Sequence, residues 1–310
     1  MRSLLTAALL FLALPAFSQQ RPAITGIAFM RLYTTNYEAA EDFYSKTLAY
    51  RPANGSEALL HGNAVYPVNH LQWIELVPHA GSIPDCMMAA VGFTTRDAAG
   101  LQRYLQAHDI KIEEPLRAGE FSVRDPEGNL VVFVQSSAVP SAAADSLPTL
   151  VSHAAETPEA PSHRIIHVGF IVHDHAKEDA FWRELLGFRP YWHGTMHPGH
   201  EDFVSLQVPN GSDWIEYMLI APEKPTKRDY GLSDHFSLGV DHMQTVLADL
   251  QRNGCEGKNC TAIQAGVDGK VQLNLYDPDQ TRIEFMEFKP VMKPCCSEFT
   301  GTHPTAIEEH

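Results

Sequence analysis

The chain has 310 residues, is 44% hydrophobic and 20% charged, and sets 38 acidic side chains against 23 basic ones for a formal net charge of −15. That length accommodates two ordinary domains, and the composition is that of a soluble globular protein rather than a fibre or a low-complexity chain. The acidic balance argues against nucleic acid or an anionic membrane surface as the main partner, whereas sixteen histidines favour a metal site.

In chain order, residues 1–18 read as a secretory signal peptide: Arg2, an apolar run from Leu4 to Phe17, and the small-residue exit Ala16-Phe17-Ser18. The expectation is a secreted or periplasmic protein with no stable membrane insertion after cleavage. Residues 21–135 then read as a first domain: a strand over 26–33, an amphipathic helix ending Leu48-Ala49-Tyr50-Arg51-Pro52, three strands, and a second round of strand (89–94), helix (98–108) and three strands. Small residues, prolines and acids make 136–162 a linker. A second domain, 163–290, runs strand (167–172), helix, and strands near 188–192, 202–208 and 214–220. It continues with a strand over 235–240, a helix over 242–253, and strands near 261–264, 271–276 and 282–288. A tail, 291–310, follows.

Five cysteines suit an oxidising compartment. Cys255 and Cys260 are spaced to close a short loop, whereas the adjacent Cys295 and Cys296 are not expected to bridge each other without strain. The odd count leaves at least one thiol over.

The two halves repeat each other. Ala40-Glu41-Asp42-Phe43-Tyr44 through Arg51-Pro52 matches Glu178-Asp179-Ala180-Phe181-Trp182 through Arg189-Pro190. Likewise Gln72-Trp73-Ile74-Glu75-Leu76 matches Asp213-Trp214-Ile215-Glu216-Tyr217, and Asp125-Pro126-Glu127-Gly128 matches Asp277-Pro278-Asp279-Gln280. Each half is two βαβββ modules, an α+β architecture. On these motifs the chain resembles the vicinal oxygen chelate superfamily, which includes glyoxalase I, extradiol dioxygenases and bleomycin-binding proteins. The resemblance covers about 21–135 and 163–288 and implies two glyoxalase-like domains, each a curled mixed sheet around a cleft.

The resemblance also implies a ligand set. The family's metal positions read His167, Glu216, His235 and Glu284 in the second half, with His and Glu 49 positions apart in each pair. Two imidazoles and two carboxylates suit one divalent ion (Ni, Zn, Mn, Co or Fe) with open positions for a small-molecule substrate. Likeness to glyoxalase I makes Glu284 and Glu216 the catalytic carboxylates of an isomerase or lyase that moves a proton alpha to a carbonyl, through an enediolate stabilised by the metal. Two alternatives are an extradiol Fe(II) ring-cleaving dioxygenase, satisfied by His167, His235 and Glu284, and a non-catalytic binding protein of the bleomycin-resistance kind. Against the dioxygenase, the tyrosine expected four residues before the last-turn proline is Asn274, with Tyr276 two residues on. In the first half Phe29, Ala89 or Ala90, and Val132 fall on three of the ligand positions and only Glu75 is acidic, so that half is expected to hold no metal. The loop carrying His193, His197 and His200 is a candidate for substrate contact. Asn36 and Asp174 are suited to helix N-caps. The chain is expected to be a monomer or homodimer.

Overall fold

The computed structural model describes residues 20–306 apart from 54–58, 61–62, 80, 83, 137–156, 158 and 258–259. The proposed signal peptide and most of the proposed linker lie outside the described residues. Among the described residues no helix is long and apolar enough to cross a membrane.

The first half forms one eight-stranded sheet from β1 (Ile24–Thr34), β2 (Leu59–Leu60), β3 (Asn63–Pro67), β4 (Trp73–Pro78), β5 (Met88–Thr95), β6 (Glu114–Arg117), β7 (Glu120–Arg124) and β8 (Leu130–Gln135). The second half forms another from β9 (Ile165–Ile171), β10 (Arg189–Gly194), β11 (Phe203–Gln207), β12 (Trp214–Met218), β13 (His235–Val240), β14 (Gln264–Ala265), β15 (Val271–Tyr276) and β16 (Arg282–Glu287). The strand orders are the same: β2-β3-β4-β1-β5-β8-β7-β6 and β10-β11-β12-β9-β13-β16-β15-β14. In each sheet the first strands of the two modules run antiparallel at the centre, and each pairs in parallel with the last strand of its own module. These are two curled mixed sheets of an α+β fold, as the βαβββ reading expects.

One helix follows the first strand of each module. α1 (Tyr37–Asp42) and α3 (His175–Asp179) each run on into a π-helical stretch, Phe43–Thr47 and Ala180–Leu185; α2 (Ala98–Ala107) and α5 (Met243–Arg252) serve the other modules. Asn36 and Asp174 cap as expected, accepting the amides of Ala39 and Lys177 at 3.2 and 3.1 Å. The Leu-Gly-Phe-Arg-Pro exit owes its glycine to a left-handed backbone, φ +74° at Gly187, and Ala49 takes the same turn at +55°. One helix was not foreseen: α4 (Lys227–Ser233) lies between β12 and β13. Its signal was present, because Thr226 and Asp229 form a reciprocal capping box. The strand expected near 261–264 is only Gln264–Ala265; ahead of it the pairing with β15 continues only as a bridge between Cys260 and Leu275 and a Thr261 N–H bond to the Asn274 carbonyl at 2.9 Å. Cys295 and Cys296 are also bonded to each other, which overturns the expectation that they stay unbridged. The tail turns sharply there, Cys296 adopting φ +120°, and brings the two side chains together. Cys86 is the remaining free thiol.

A single hydrophobic cluster joins the helix-bearing faces of both sheets, with Phe93 of β5 5.5 Å from Trp182 and 5.6 Å from Phe188. The repeated motifs make the polar contacts between halves. Gln72, just before β4, donates to the carbonyls of Ile27 and Ile165 at 3.0 and 2.8 Å and accepts the Ile165 amide at 2.8 Å. Its counterpart Asp213 accepts the Ile27 amide at 2.9 Å and pairs with the buried Arg164 guanidinium. The Asp-Pro turns act reciprocally. Asp279 accepts the Thr35 amide at 3.1 Å, and Glu127 accepts the amides of His173 and Asp174 at 2.7 and 2.9 Å, so each turn closes the helix start of the other half.

Two predictions follow from these contacts. Removing one partner of a buried ion pair leaves the other uncompensated, so Asp213→Ala is expected to destabilise the chain by about 3–5 kcal/mol in urea unfolding; a loss below about 1 kcal/mol would show the pair to be energetically idle. Glu178 is buried beside Asp125 and accepts Glu127 N–H at 2.9 Å and Trp182 Nε1–H at 2.7 Å. Burial first, then the Asp125 charge, raises its pKa. The folded chain therefore holds a proton that the unfolded chain releases near pH 4.3, and stability from this group falls as pH rises above about that value. Unfolding midpoints across pH 5 to 9 (approximate range) should shift in favour of Glu178→Gln, relative to the parent, as pH rises.

Candidate metal centre

The four central strands of the second sheet converge on one spot. Register places His167 of β9 opposite Trp214 and Ser237, and Gly169 opposite Glu216 and His235. Ser237 in turn lies opposite Glu284 of β16. Because successive side chains alternate between faces, His167, Glu216, His235 and Glu284 all emerge on the concave face, away from the helices. The small residue at 169 is required: a Cβ there would lie 2.1 Å from Cε1 of His235.

His167, His235 and Glu284 are buried at 0, 1 and 3% exposure. His167 Nε2 lies 2.9 Å from His235 Nε2 and 3.2 Å from Glu284 Oε2, and His235 Nε2 lies 4.0 Å from that oxygen and 3.7 Å from Glu216 Oε2. The Ser233 carbonyl accepts His235 Nδ1–H at 2.7 Å, which leaves Nε2 as the lone-pair nitrogen facing the site. The His167 ring stacks on Trp214 at 4.7 Å. Burial lowers the pKa of both histidines, further helped at His235 by Arg282 and His167, so both are neutral and competent as ligands at neutral pH. Burial and the neighbouring Glu284 charge push Glu216 up to about 8. At Glu284 burial also pushes upward, but the His167 contact outweighs it and the carboxyl titrates below its ordinary value.

A divalent ion bound at about 2.0–2.2 Å holds its ligand atoms within about 4.4 Å of one another. The three closest groups meet that limit, and Glu284 Oε2 has no hydrogen-bond partner. The arrangement fits one divalent cation, with His167, His235 and Glu284 as the compact set and Glu216 beside it. Two imidazoles and one carboxylate with room for further ligands is the pattern of non-haem metal sites that bind small molecules.

The first sheet uses the same register with other residues. Phe29 pairs with Trp73 as His167 pairs with Trp214, Ala90 takes the place of His235, and Val132 that of Glu284. Glu75 is matched by an arginine: Arg31 stands where the second half has Gly169, and its Nε meets Glu75 Oε2 at 2.6 Å. Trp73 Nε1 and Asn63 Nδ2 add hydrogen bonds at 2.9 and 3.0 Å. A guanidinium thus neutralises the one remaining carboxylate, and Phe29, Trp73, Ala90 and Val132 fill the rest of that face.

The loop histidines are not brought to these four. His193 lies opposite Val204, which lies opposite Tyr217, so it belongs to the face away from Glu216; its Nδ1 meets Glu201 at 3.0 Å. His197 is engaged by Asp202 at 2.9 Å, and His200 is exposed in the same loop. A bulge between Pro190 and Trp192 sets the parity of β10 and turns His193 to the face away from Glu216. Asn274 sits opposite Glu284 with a buried Oδ1 lacking a partner, and Tyr276 follows on the same face. Lys270, buried on this side of the sheet, was missed. The signal available for it was its alternation with Gln272 and Asn274.

Residues 166–271 match the Glyoxalase/Bleomycin resistance protein/Dioxygenase superfamily. No curated protein matches the chain in sequence. Among solved structures it is similar to the 2,3-dioxygenase LapB of Pseudomonas sp. KL28, at 15% identity and a TM-score of 0.62 over 92% of this chain and 96% of that one. It is likewise similar to homoprotocatechuate 2,3-dioxygenase of Arthrobacter globiformis (15%, 0.63, 91% and 83%). A third likeness is to the Brevibacterium fuscum enzyme in complex with 3,4-dihydroxyphenylacetate (15%, 0.61, 91% and 83%). At these identities the likeness establishes the fold, and it spans both halves. Over residues 166–271 the chain thus resembles the glyoxalase/bleomycin resistance/dioxygenase, or vicinal oxygen chelate, superfamily, and both halves carry the same fold.

Proposed function

We propose that the chain is a divalent-metal-dependent enzyme with one working site, in the second half, and that it moves a proton next to a carbonyl of a small molecule, as an isomerase or lyase. The observation that carries this reading is the convergence of three buried ligand groups with a second carboxylate, Glu216, 3.7 Å from His235 Nε2. His167, His235 and Glu284 would hold the ion, which when bound supplies Lewis-acid polarisation of a carbonyl oxygen. Ser233 fixes the His235 tautomer, and Trp214 fixes the plane of His167. Glu284 contributes charge. Glu216, whose side chain is the most exposed of the four at 15%, is the group that takes and returns the proton. Export belongs to the same reading and is supported by the Cys255–Cys260 disulfide.

Titration of tag-free protein should give about one divalent ion per chain, lost in His235→Ala and weakened at least about tenfold in Glu284→Gln; fewer than about 0.3 equivalents in the parent would end the metal reading. Deuterium exchange alpha to the carbonyl of hydroxyacetone, followed by NMR on the loaded protein, should slow about 100-fold or more in Glu216→Gln.

A second reading, Fe(II) ring cleavage, is favoured by the two-histidine, one-carboxylate set and by the likeness to ring-cleaving dioxygenases. Oxygen uptake with catechol and Fe(II), without exchange on hydroxyacetone, would select it. Metal binding with neither reaction would instead select a binding protein.

A further inference from the structure

The C-terminal tail ties together the two edges of the second sheet. In the strand order β10 and β14 are the edge strands, and the tail reaches from the turn after β14 to β10. On the first side the amides of Val291 and Met292 donate to the Gly269 carbonyl at 2.9 and 3.2 Å, and the Cys295 amide donates to the Val267 carbonyl at 2.8 Å. On the other side the Cys295 carbonyl accepts Trp192 Nε1–H at 2.9 Å, and Ser297 Oγ accepts the His193 amide at 3.0 Å. The Thr300 amide donates to the Tyr191 carbonyl at 2.9 Å, and Gln207 Nε2–H donates to the Thr302 carbonyl at 2.7 Å. Phe299, between these bonds, packs 4.8 Å from the Tyr191 ring. Tyr191 in turn lies 5.2 Å from Trp214, the ring stacked on His167. The tail is thus a strap that closes the curled sheet beside the metal centre.

The Cys295–Cys296 bond sits where the strap passes from one edge to the other. Joining neighbours in sequence, it closes almost no loop, so it restricts the unfolded chain little and its effect is local. That effect falls on the backbone. Cys296 holds φ +120°, a conformation that a residue with a side chain rarely adopts and keeps only where its surroundings impose it. Both cysteines are exposed, so a thiolate reaches the sulfurs from solvent. The Cys255–Cys260 bond is more sheltered, with Cys255 buried and Cys260 half-buried.

We propose that Cys295–Cys296 is a thiol–disulfide exchange site taking a small thiol or a dithiol protein as reductant, and that the redox state of the pair decides whether the strap stays docked on β10. A thiolate attacks one sulfur of the pair, the S–S bond breaks and a mixed disulfide forms. A second thiolate attacks the reductant's sulfur in that mixed disulfide and releases the protein sulfur. Two thiols are thereby oxidised to one disulfide, and the pair takes up two electrons and two protons to become two cysteine thiols. Released from the bond, Cys296 returns to negative φ, which redirects the chain at Ser297 and withdraws Ser297, Phe299 and Thr300 from their partners on β10. The oxidised form of the same reductant reverses the sequence and redocks the strap. Every contact involved is made by the chain itself, so the switch stands or falls independently of the metal reading.

The test is hydrogen exchange with mass spectrometry on the full chain, first oxidised and then in glutathione buffers of increasing reducing strength, with differential alkylation to read each cysteine. Cys295 and Cys296 are expected to open in a milder buffer than Cys255 and Cys260. On opening, the peptide carrying Phe299 and Thr300 should exchange at least about tenfold faster while β9 and β13 stay unchanged. Cys295→Ser/Cys296→Ser should exchange fast from the start and ignore the buffer, whereas Cys255→Ser/Cys260→Ser should keep the parent's response. A pair isolated as free thiols, a pair that resists until Cys255–Cys260 opens, an opened pair with unchanged exchange at Thr300, or exchange in β9 rising in step with the tail would each overturn the proposal. The parent comparison decides even where a variant fails to fold.

Discussion

The architecture depends on how the buried backbone of the two central first strands is satisfied across the junction of the halves. Ile27 of β1 gives its amide to Asp213, and its carbonyl accepts from Gln72, which also takes both backbone groups of Ile165 in β9. Both side chains precede the Trp-Ile-Glu strands, so one short motif fixes two things at once. It terminates the turn into the strand beside the site, and it locks the opposite half in place. Buried polar groups without such partners are strongly destabilising, and this is why the motif recurs in both halves although only one half carries the histidines.

With the scaffold held in that way, the two concave faces are free to differ. The register is common to both, so the divergence lies in a few side chains: glycine or arginine at 169 and 31, histidine or phenylalanine at 167 and 29, glutamate or valine at 284 and 132. In the second sheet glycine makes room for an imidazole, and carboxylates gather around lone-pair nitrogens. In the first sheet arginine supplies from the chain itself the positive charge that Glu75 needs, and aromatic and aliphatic groups fill the remaining volume. A charge-balanced, closed face and an open, cation-seeking one thus arise from the same strand order.

Much of this was legible in the sequence. Helical and strand periodicities ordered the modules and located the strands of the second half, and the 49-residue intervals singled out the residues that meet at the centre. The capping roles of Asn36 and Asp174 were readable because capping is a local interaction between a side chain and an amide three residues on. The parts that were not readable are those set by long-range contact. The parity of His193 depends on a bulge in β10, α4 is packed against β9 and β16, and the bond between Cys295 and Cys296 follows from a tail turn anchored on β10.

By itself the sequence determined the βαβββ order, the pairing of the halves and the identity of the four converging groups, because periodicity and repeated motifs are written locally. Only the tertiary structure decided which face each group occupies, that Arg31 fills the first site, that His193 turns outward, and that Lys270 lies buried among three rings. Those outcomes depend on strand register and on residues far apart in the chain, where a one-residue slip reverses every side chain.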